Sequence, residues 1–200
     1  MSDWRAVRLG DHVNLLTGYP FKSSSYSADE AAVRLLRGDN IAQGRLRWNG
    51  AKRLPEERVV DSWSYQLEPG DVVVAMDRPW IEAGLKFAVV QRADVPSLLV
   101  QRVARLRAVN DLDQGFLRYV IGGHGFTGHV LAVQTGTAIP HISPTQISDF
   151  RFALPPPPEQ RAIAEVLGAL DDKIEADPFL SAWLETPAVA TIPQGRDRIR

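Results

Sequence analysis

The chain has 200 residues, of which 44% are hydrophobic and 24% charged, as is ordinary for a globular protein with a sizeable core. Its formal net charge of −1 argues against a uniformly basic nucleic-acid binder but is compatible with a local basic face. The absence of cysteine excludes disulfides and thiolate metal sites and fits a reducing compartment. Because the sequence has no apolar run of membrane-spanning length and no secretory signal pattern, we expect a cytoplasmic protein without a membrane partner.

The first half of the chain predicts short strands separated by loops. In chain order we expect a strand entering a loop at 7–13, a loop at 18–26, a strand at 33–37, and a hairpin or ribbon at 41–58 with turns at Gly44 and Asn49-Gly50. The apolar run 72–76 predicts a strand buried on both faces. Further strands are expected within 87–90 and 98–106.

Helices are expected in the second half. Residues 113–121 place their apolar side chains on one side and end at Gly122-Gly123, which predicts a helix. Residues 125–133 contain too many glycines for a firm assignment, and the open alternative is a continuation of the helix. Ser143-Pro144 predicts the start of a short helical turn. This order favours an α+β fold with a mixed, mainly antiparallel curved sheet, flanking helices and a C-terminal helix.

A run of four prolines, 155–158, precedes a strongly patterned segment. Prolines form a stiff spacer and are well placed to open a helix. The apolar residues that follow recur at three- and four-residue steps, as in a narrow seam for a coiled-coil-like partner: Ile163, Val166, Leu167, Leu170 and Ile174. The alternative is a helix packed on its own domain.

These patterns predict three parts of the chain. A folded domain covers 1–154, a proline-initiated spacer or dimerisation helix covers 155–176, and an irregular or disordered tail covers 177–200. The tail is expected because Asp177-Pro178 cannot continue a helix.

The segment Pro155–Glu175 combines the proline run, the pair Glu159-Gln160 and the apolar seam in one order. It closely resembles the junction between a target recognition domain and a long helix in specificity subunits of type I restriction-modification systems. Further landmarks of that family follow the family's order over the rest of the chain, at 9–11, 36–41, 67–73 and 136–142. The resemblance covers roughly residues 5–176.

The resemblance implies a noncatalytic subunit without a cofactor of its own. Such a subunit binds a half-site of double-stranded DNA and directs a partner methyltransferase subunit and a partner restriction (translocase-nuclease) subunit. In the family the helix continues much further and often leads to a second recognition domain, whereas here the pattern stops at Asp177-Pro178. We therefore expect a form truncated to one recognition domain, which self-associates or meets the methyltransferase through its helix. The rival reading is a remnant or decoy that binds the methyltransferase subunit without productive DNA recognition.

The strongest candidate for a DNA-binding surface is the stretch 34–58, where basic residues cluster around a single tryptophan. Clustered cations bind phosphates, and arginine also reads guanine edges. The tryptophan either stacks or covers the sheet, and the alternative for the whole stretch is an ordinary solvated strand pair. Weaker candidates come from a serine-rich loop, from the loop after the buried strand, and from a polar pair near 134. The candidate DNA-binding residues are Lys22, Ser23, Arg37, Arg45, Arg47, Trp48, Lys52, Arg53, Arg78, Lys86, Gln134 and Thr135.

Catalytic and metal sites are poorly supported. The tetrapeptide at 77–80 is superficially similar to that of amino-methyltransferases, but Arg78 replaces its first proline. Neither a glycine-rich cofactor loop nor a GxxxxGK[ST] phosphate loop is present, so neither S-adenosylmethionine nor ATP binding is indicated. His124 and His129 lie five residues apart without a cysteine or a placed carboxylate to complete a metal site. No catalytic, cofactor-binding or metal-binding residue is assigned, and a free-standing enzyme is the least favoured reading.

Overall fold

The computed structural model describes residues 4–136 and 138–177, and of residues 60–62 and 175 only the backbone. The predicted tail lies outside the described residues apart from Asp177. Its strands are β1 (Arg5–Arg8), β2 (Val13–Thr17), β3 (Val33–Leu36), β4 (Gln43–Gly44), β5 (Arg53–Leu54), β6 (Val72–Ala75), β7 (Trp80–Ile81), β8 (Gly84–Leu85), β9 (Phe87–Val89), β10 (Ser97–Leu99), β11 (Val103–Ala108) and β12 (Arg151–Leu154). Its α-helices are α1 (Gln114–Gly122), α2 (His124–Val133), α3 (Pro144–Ser148) and α4 (Pro157–Ala176). Short 3-10 helices occupy Leu9–Asp11, Ser23–Ser25, Gly38–Asn40, Glu56–Arg58, Val60–Tyr65 and Arg92–Asp94.

The contacts divide the chain into two compact units, Met1–Ala164 and Glu165–Arg200, and the boundary lies inside α4. The first unit contains the sheets. The largest has five strands in the order β2-β11-β6-β9-β4, and a second has the order β10-β3-β5. Two further pairs, β1-β12 and β7-β8, are antiparallel.

Strand β6 separates two hydrophobic cores. Successive residues of a strand face opposite sides of the sheet. Val72 and Val74 therefore belong to a core shared with the helices, whereas Val73 and Ala75 belong to a core shared with the three-stranded sheet. All four are fully buried, which is why the sequence shows an uninterrupted apolar run here.

The same alternation places the three-stranded sheet between two cores. Leu36 of β3 and Leu99 of β10 face the five-stranded sheet, and their neighbours Leu35 and Leu98 face a third cluster on the far side. The described part of the first unit is thus a stack of helices, a five-stranded sheet and a three-stranded sheet. Each buried leucine or valine contributes on the order of 1.5–3 kcal/mol.

The α+β class, the predominance of antiparallel pairing and the C-terminal helix are confirmed. The hairpin expected over 41–58 forms only around Gly44, where Ile41 pairs with Leu46 in antiparallel fashion. The rest of that prediction is wrong, because β4 pairs with β9 in parallel and β5 pairs with β3. The two turns do form, with Gly44 and Gly50 at φ of 76° and 69°, but the strands beside them find distant partners. Turn residues specify the local reversal of the chain, whereas strand pairing is decided by the surrounding cores.

Helix caps account for the helices of the second half. The side chain of Asp113 accepts a hydrogen bond from the Phe116 amide at the start of α1. Ser143 and Gln146 form a reciprocal capping box around α3, with Pro144 at its first position. The glycine-rich segment 125–133 is helical, as its alternative reading had it, and forms α2, whose apolar side chains Phe126 and Val130 are fully buried.

Gln160 fastens the first turn of α4 to the rest of the first unit. Its side chain is completely buried, its oxygen accepts from the Asp113 amide at 2.8 Å, and its nitrogen donates to the carbonyls of Asp111 at 2.9 Å and Pro155 at 2.8 Å. Ile163, one turn later, packs against the helix-side core. Within the described part of the chain, no helix is both long and apolar enough to span a membrane.

A candidate nucleic-acid interface

Three strand ends meet at one edge of the first unit. Because β3 and β10 are parallel, their carboxyl ends lie at the same edge. Because β6 is antiparallel to β11, with Ala75 opposite Val103, the end of β6 lies beside the start of β11. Residues 37–39, 77–78 and 101–102, which follow these strand ends, line a common cleft of about 530 Å³.

We call this the basic cleft. Its charged lining consists of five cations and two carboxylates: Arg37, Arg47, Arg78, Lys86, Arg102, Asp39 and Asp77. The basic stretch 34–58 and the loop 77–86, which the sequence indicates as separate candidates, thus contribute to one surface. The excess of positive charge gives this surface an attraction for phosphates although the chain as a whole is slightly acidic.

Asn40 positions two of these cations. It is 7% exposed, its side-chain oxygen accepts from the Arg37 amide at 3.0 Å, and its side-chain nitrogen donates to the Arg47 carbonyl at 3.0 Å. The backbones of Asn40 and Arg47 are also joined, amide of Arg47 to carbonyl of Asn40, at 2.8 Å. One buried amide therefore holds both arginines at the cleft wall.

The second wall is the loop after β6. Arg78 has a φ of 45°, a conformation that side-chain-bearing residues rarely adopt, and its amide donates to the Pro140 carbonyl at 2.7 Å. Asp77 lies 2.7 Å from Nδ1 of His141. Burial lowers the pKa of Lys86, with Arg78 lowering it further, while the carboxylates Asp39 and Asp77 oppose the shift.

A side cleft adjoins the basic cleft and shares Arg37 and Tyr26 with it. Four more of the predicted residues line it: Ser23, Trp48, Lys52 and Arg53. Lys22 precedes the 3-10 helix that carries Ser23, and its side chain is exposed. Of the twelve predicted DNA-binding residues, eight thus line one of the two clefts.

Several predicted residues serve the fold as well as a surface. One face of the Trp48 ring is covered by the Arg34 guanidinium, 4.5 Å from the ring centroid, and its indole nitrogen donates to Asp94 at 2.7 Å. Trp48 is therefore held by protein contacts, which agrees better with covering the sheet than with base stacking. Arg53 is half-buried and donates to the Ala32 carbonyl at 3.0 Å.

The remaining predicted residues lie outside the cleft linings. Arg45 is exposed in the turn after β4. Gln134 and Thr135 follow α2, and the Thr135 backbone pairs with His141. Since His141 pairs in turn with Asp77, Thr135 lies two backbone bridges from a residue of the basic cleft.

Besides the two carboxylates, four polar residues of the basic cleft are not among the predicted DNA-binding residues: Tyr26, Gln43, Gln101 and Arg102. The signal for the last two was a polar pair interrupting the apolar stretch 98–106. They form a turn between β10 and β11, with Arg102 at a φ of 67°. Read as one strand, the stretch hides this turn.

The two histidines considered as metal ligands lie in different surroundings, one in an aromatic cluster and one exposed at a helix start. His129 packs beside both Phe126 and Phe150 in an aromatic cluster, and its Nε2 is 2.7 Å from the Gln146 carbonyl. His124 is exposed at the start of α2. Among the described residues, no three His, Asp or Glu side chains are grouped so as to hold a metal ion.

The apolar seam of α4 is partly exposed. Val166, Leu170 and Ile174 are 63%, 50% and 36% exposed, whereas Leu167 is half-buried. Ile163 uses its apolar surface against the core of the first unit, as described above. We call Val166, Leu170 and Ile174 the helix seam.

The family model described as type I restriction modification DNA specificity domain matches residues 1–178. The chain belongs to the type I restriction-modification specificity domain family. It is 34% identical over 168 residues to the EcoAI specificity subunit of Escherichia coli, and 32% identical over 174 residues to the MjaVIII specificity subunit of Methanocaldococcus jannaschii. These alignments cover 84% and 86% of this chain but only 28% and 40% of the two relatives.

Solved structures of specificity subunits share the fold of this specificity domain. A chain from work on complex assembly and conformational transition of the type I R-M system superposes with a TM-score of 0.64 and 19% identity over 90% of this chain and 42% of its own. The HsdS subunit from Thermoanaerobacter tengcongensis gives a TM-score of 0.60 and 19% identity over 92% and 40%. The S subunit from M. genitalium gives 0.60 and 16% over 88% and 41%.

Two landmarks of the family have structural roles in this specificity domain. In the landmark 67–73, Gly70 has a φ of 95°, and the buried carboxylate of Asp71 accepts two hydrogen bonds from Arg107, at 2.5 and 3.0 Å. In the landmark 36–41, Asn40 makes the cleft-wall contacts described above.

Proposed function

We propose that this chain is a noncatalytic specificity subunit that binds a half-site of double-stranded DNA in its basic cleft. The observation that carries the proposal is one cleft lined by five cations from separate parts of the sequence, of which Arg37, Arg78 and Arg102 follow the three strand ends that converge there. Membership of the specificity-domain family supports it. In this proposal the chain directs a methyltransferase subunit and a restriction subunit, and needs no cofactor of its own.

Binding would rest first on phosphates. Each phosphate neutralised by a lysine or arginine contributes about 0.9 to the slope of log affinity against log salt concentration. If most of the five cations contact phosphates, the slope is about −4. Base-edge contacts from the same cleft would then select the sequence, while phosphate contacts set the register.

The test measures duplex binding by the full chain as a function of salt concentration, alone and with a co-expressed methyltransferase subunit. Arg78→Ala should reduce the steepness of the salt dependence by about 1 and weaken binding to every sequence. The matched control is Arg151→Ala, which removes an exposed arginine of β12 that lines neither cleft. Equal salt slopes for the two variants would contradict the assignment of the cleft.

The helix seam is the proposed contact with a protein partner, either the methyltransferase subunit or a second copy of the chain. The exposed apolar side chains of Val166 and Leu170 support this, because a helix of this length needs a packing partner. The double variant Val166→Ser with Leu170→Ser should abolish co-purification of the methyltransferase subunit. Glu165→Ser with Asp172→Ser places serines on the opposite side of the helix and should not.

The rival proposal is a decoy that binds the methyltransferase subunit without productive DNA recognition. Co-purification followed by methylation mapping separates the two. Methylation of one defined site by the recovered complex supports the specificity subunit. A complex that forms through the helix seam and methylates no defined site supports the decoy.

A further inference from the structure

We propose that the turn Gln101-Arg102 reads two adjacent base pairs, with Gln101 recognising an adenine and Arg102 a guanine. The inference rests on the proposed function and deepens it, because it assigns sequence discrimination to two residues of the basic cleft. Neither residue was a candidate from the sequence.

The turn is held rigidly from three sides. The amides of Val100 and Gln101 donate to the carbonyls of Leu36 and Tyr19 at 3.1 and 3.0 Å, and the Arg102 carbonyl accepts from the Met76 amide at 2.8 Å. The strands on either side of the turn are buried between the cores. Such fixed backbone is what a reader of base edges needs, since bidentate contacts tolerate little displacement.

Gly18 permits one of these approaches. A Cβ added there would lie 2.2 Å from the Val100 carbonyl oxygen and 2.3 Å from its carbon, both backbone atoms that cannot move aside cheaply. The next residue, Tyr19, makes two hydrogen bonds here: its amide donates to the Leu99 carbonyl at the end of β10, and its carbonyl accepts from the Gln101 amide in the turn, both at 3.0 Å. The backbone at the turn is therefore set by a contact in which only glycine fits.

Both side chains remain available at the cleft surface. Gln101 is exposed, and the Arg102 side chain is 59% exposed. The Arg102 guanidinium lies 3.7 Å from the Asp77 carboxylate, close enough to be oriented by its charge but beyond hydrogen-bonding distance. Asp77 itself is engaged by His141 at 2.7 Å, which fixes the position of this negative charge.

The chemistry and spacing of the pair match two neighbouring base pairs. A glutamine amide pairs bidentately with N6 and N7 of adenine, and an arginine fork with O6 and N7 of guanine. Adjacent Cα atoms are about 3.8 Å apart, and stacked bases rise about 3.4 Å along one strand. Consecutive side chains from one turn can therefore address consecutive bases.

The other cations of the cleft have a different position. Arg78 and Lys86 lie in the segment between β6 and β9, outside the turn, and provide charge of the kind that phosphates bind. This contrast supplies a matched pair of variants. Arg102→Ala and Arg78→Ala each remove one cleft arginine, but only the first removes a proposed base contact.

The test is selection of preferred duplexes from a random pool by the full chain co-purified with its methyltransferase subunit. Wild type is compared with Gln101→Ala, Arg102→Ala and Arg78→Ala, after their melting curves have been shown to coincide. Gln101→Ala should erase the preference for adenine at one position, a loss of about 5- to 150-fold in discrimination, with an unchanged salt slope. Arg102→Ala should erase the preference for guanine at the adjacent position. Arg78→Ala should weaken binding to all sequences and leave the selected sequence unchanged.

The outcomes separate the two proposals. If wild type selects no sequence, the proposed function fails. If wild type selects a sequence and both turn variants retain its full preference, the proposed function stands and the reading by Gln101 and Arg102 is overturned. Loss of the two preferences at non-adjacent positions would overturn the spacing argument.

Discussion

Two regions differ in what their polar side chains contact: the start of α4 around Gln160, which we call the junction, and the basic cleft. The Gln160 side chain is fully buried, uncharged and hydrogen-bonded to three backbone groups. The cleft presents charged side chains to solvent, such as Arg102 at 59% and Asp39 at 82% exposed. The junction is complete within the protein, whereas the cleft has hydrogen-bonding capacity left for a ligand. Removing a side chain should therefore cost stability at the junction and affinity at the cleft.

The largest effect is expected on the free energy of unfolding, from substitution of Gln160 at the junction. Gln160→Leu keeps the volume but leaves one amide and two carbonyls of the backbone without their partner, which should lower the free energy of unfolding by about 2–4 kcal/mol. For a chain of this size that is a fall in melting temperature of roughly 5–15 °C. The measurement is thermal unfolding followed by circular dichroism.

The control for the junction is its exposed neighbour. Glu159→Gln retains an oxygen for the hydrogen bond from the Trp4 indole nitrogen and should change the stability by less than about 0.5 kcal/mol. Equal melting temperatures for the two variants would show that Gln160 is dispensable at the junction.

An intermediate effect is expected at Asn40, where a buried amide supports exposed cations. Asn40→Ala should lower stability by about 1–3 kcal/mol, because the Arg37 amide and the Arg47 carbonyl lose their partner. It should also weaken duplex binding, because both arginines are released from the cleft wall. Unfolding and duplex-binding titrations on the same preparation measure both effects.

The comparison variant at this site is the double change Arg37→Ala with Arg47→Ala. It should weaken duplex binding and leave the melting temperature close to that of wild type. If Asn40→Ala binds duplex with wild-type affinity, Asn40 contributes to stability alone. The residues that support stability would then be fully separate from those that support duplex binding.

The smallest effect is expected on the pH dependence of duplex affinity, through the protonation of Lys86. Burial lowers the pKa of Lys86, so on raising the pH this side chain loses its charge before an ordinary lysine does. A phosphate favours the charged form, so binding takes up a proton in that range and affinity should fall as the pH rises. Lys86→Arg should flatten the alkaline side of the pH profile for duplex affinity at constant salt.

The same exchange at Lys52, an exposed residue of the side cleft, is the control for Lys86. Lys52→Arg should leave the shape of the wild-type profile unchanged. An identical profile for wild type and Lys86→Arg would mean that Lys86 does not contact a phosphate.

The parts of the fold that were predictable are those where a local pattern has one physical solution. The apolar run of β6 requires burial on both faces, and Ser143 with Pro144 requires a helix start. The strand pairing around 41–58 was not predictable, because the turns at Gly44 and Gly50 determine where the chain reverses but not which strand it meets.

The candidate site was predictable to the extent that cations cluster in sequence. Arg37 and Arg47 could be selected in this way, and Arg78 because it follows a buried strand. Gln101 and Arg102 are marked in the sequence only as a polar interruption of an apolar stretch, and the pairing of β3 with β10 is what places them in the basic cleft. Trp48 was ambiguous from the sequence because the guanidinium that covers it is placed by tertiary packing.

Gly18 can influence the basic cleft without lining it. It lines neither cleft and carries no side chain that a nucleotide can contact, yet a single added carbon there has to push back the backbone of Val100. In a laboratory selection for altered target sequences, substitutions at this position should therefore be recovered together with compensating changes in the neighbouring turn. An experimenter who randomised only the surface residues would overlook it.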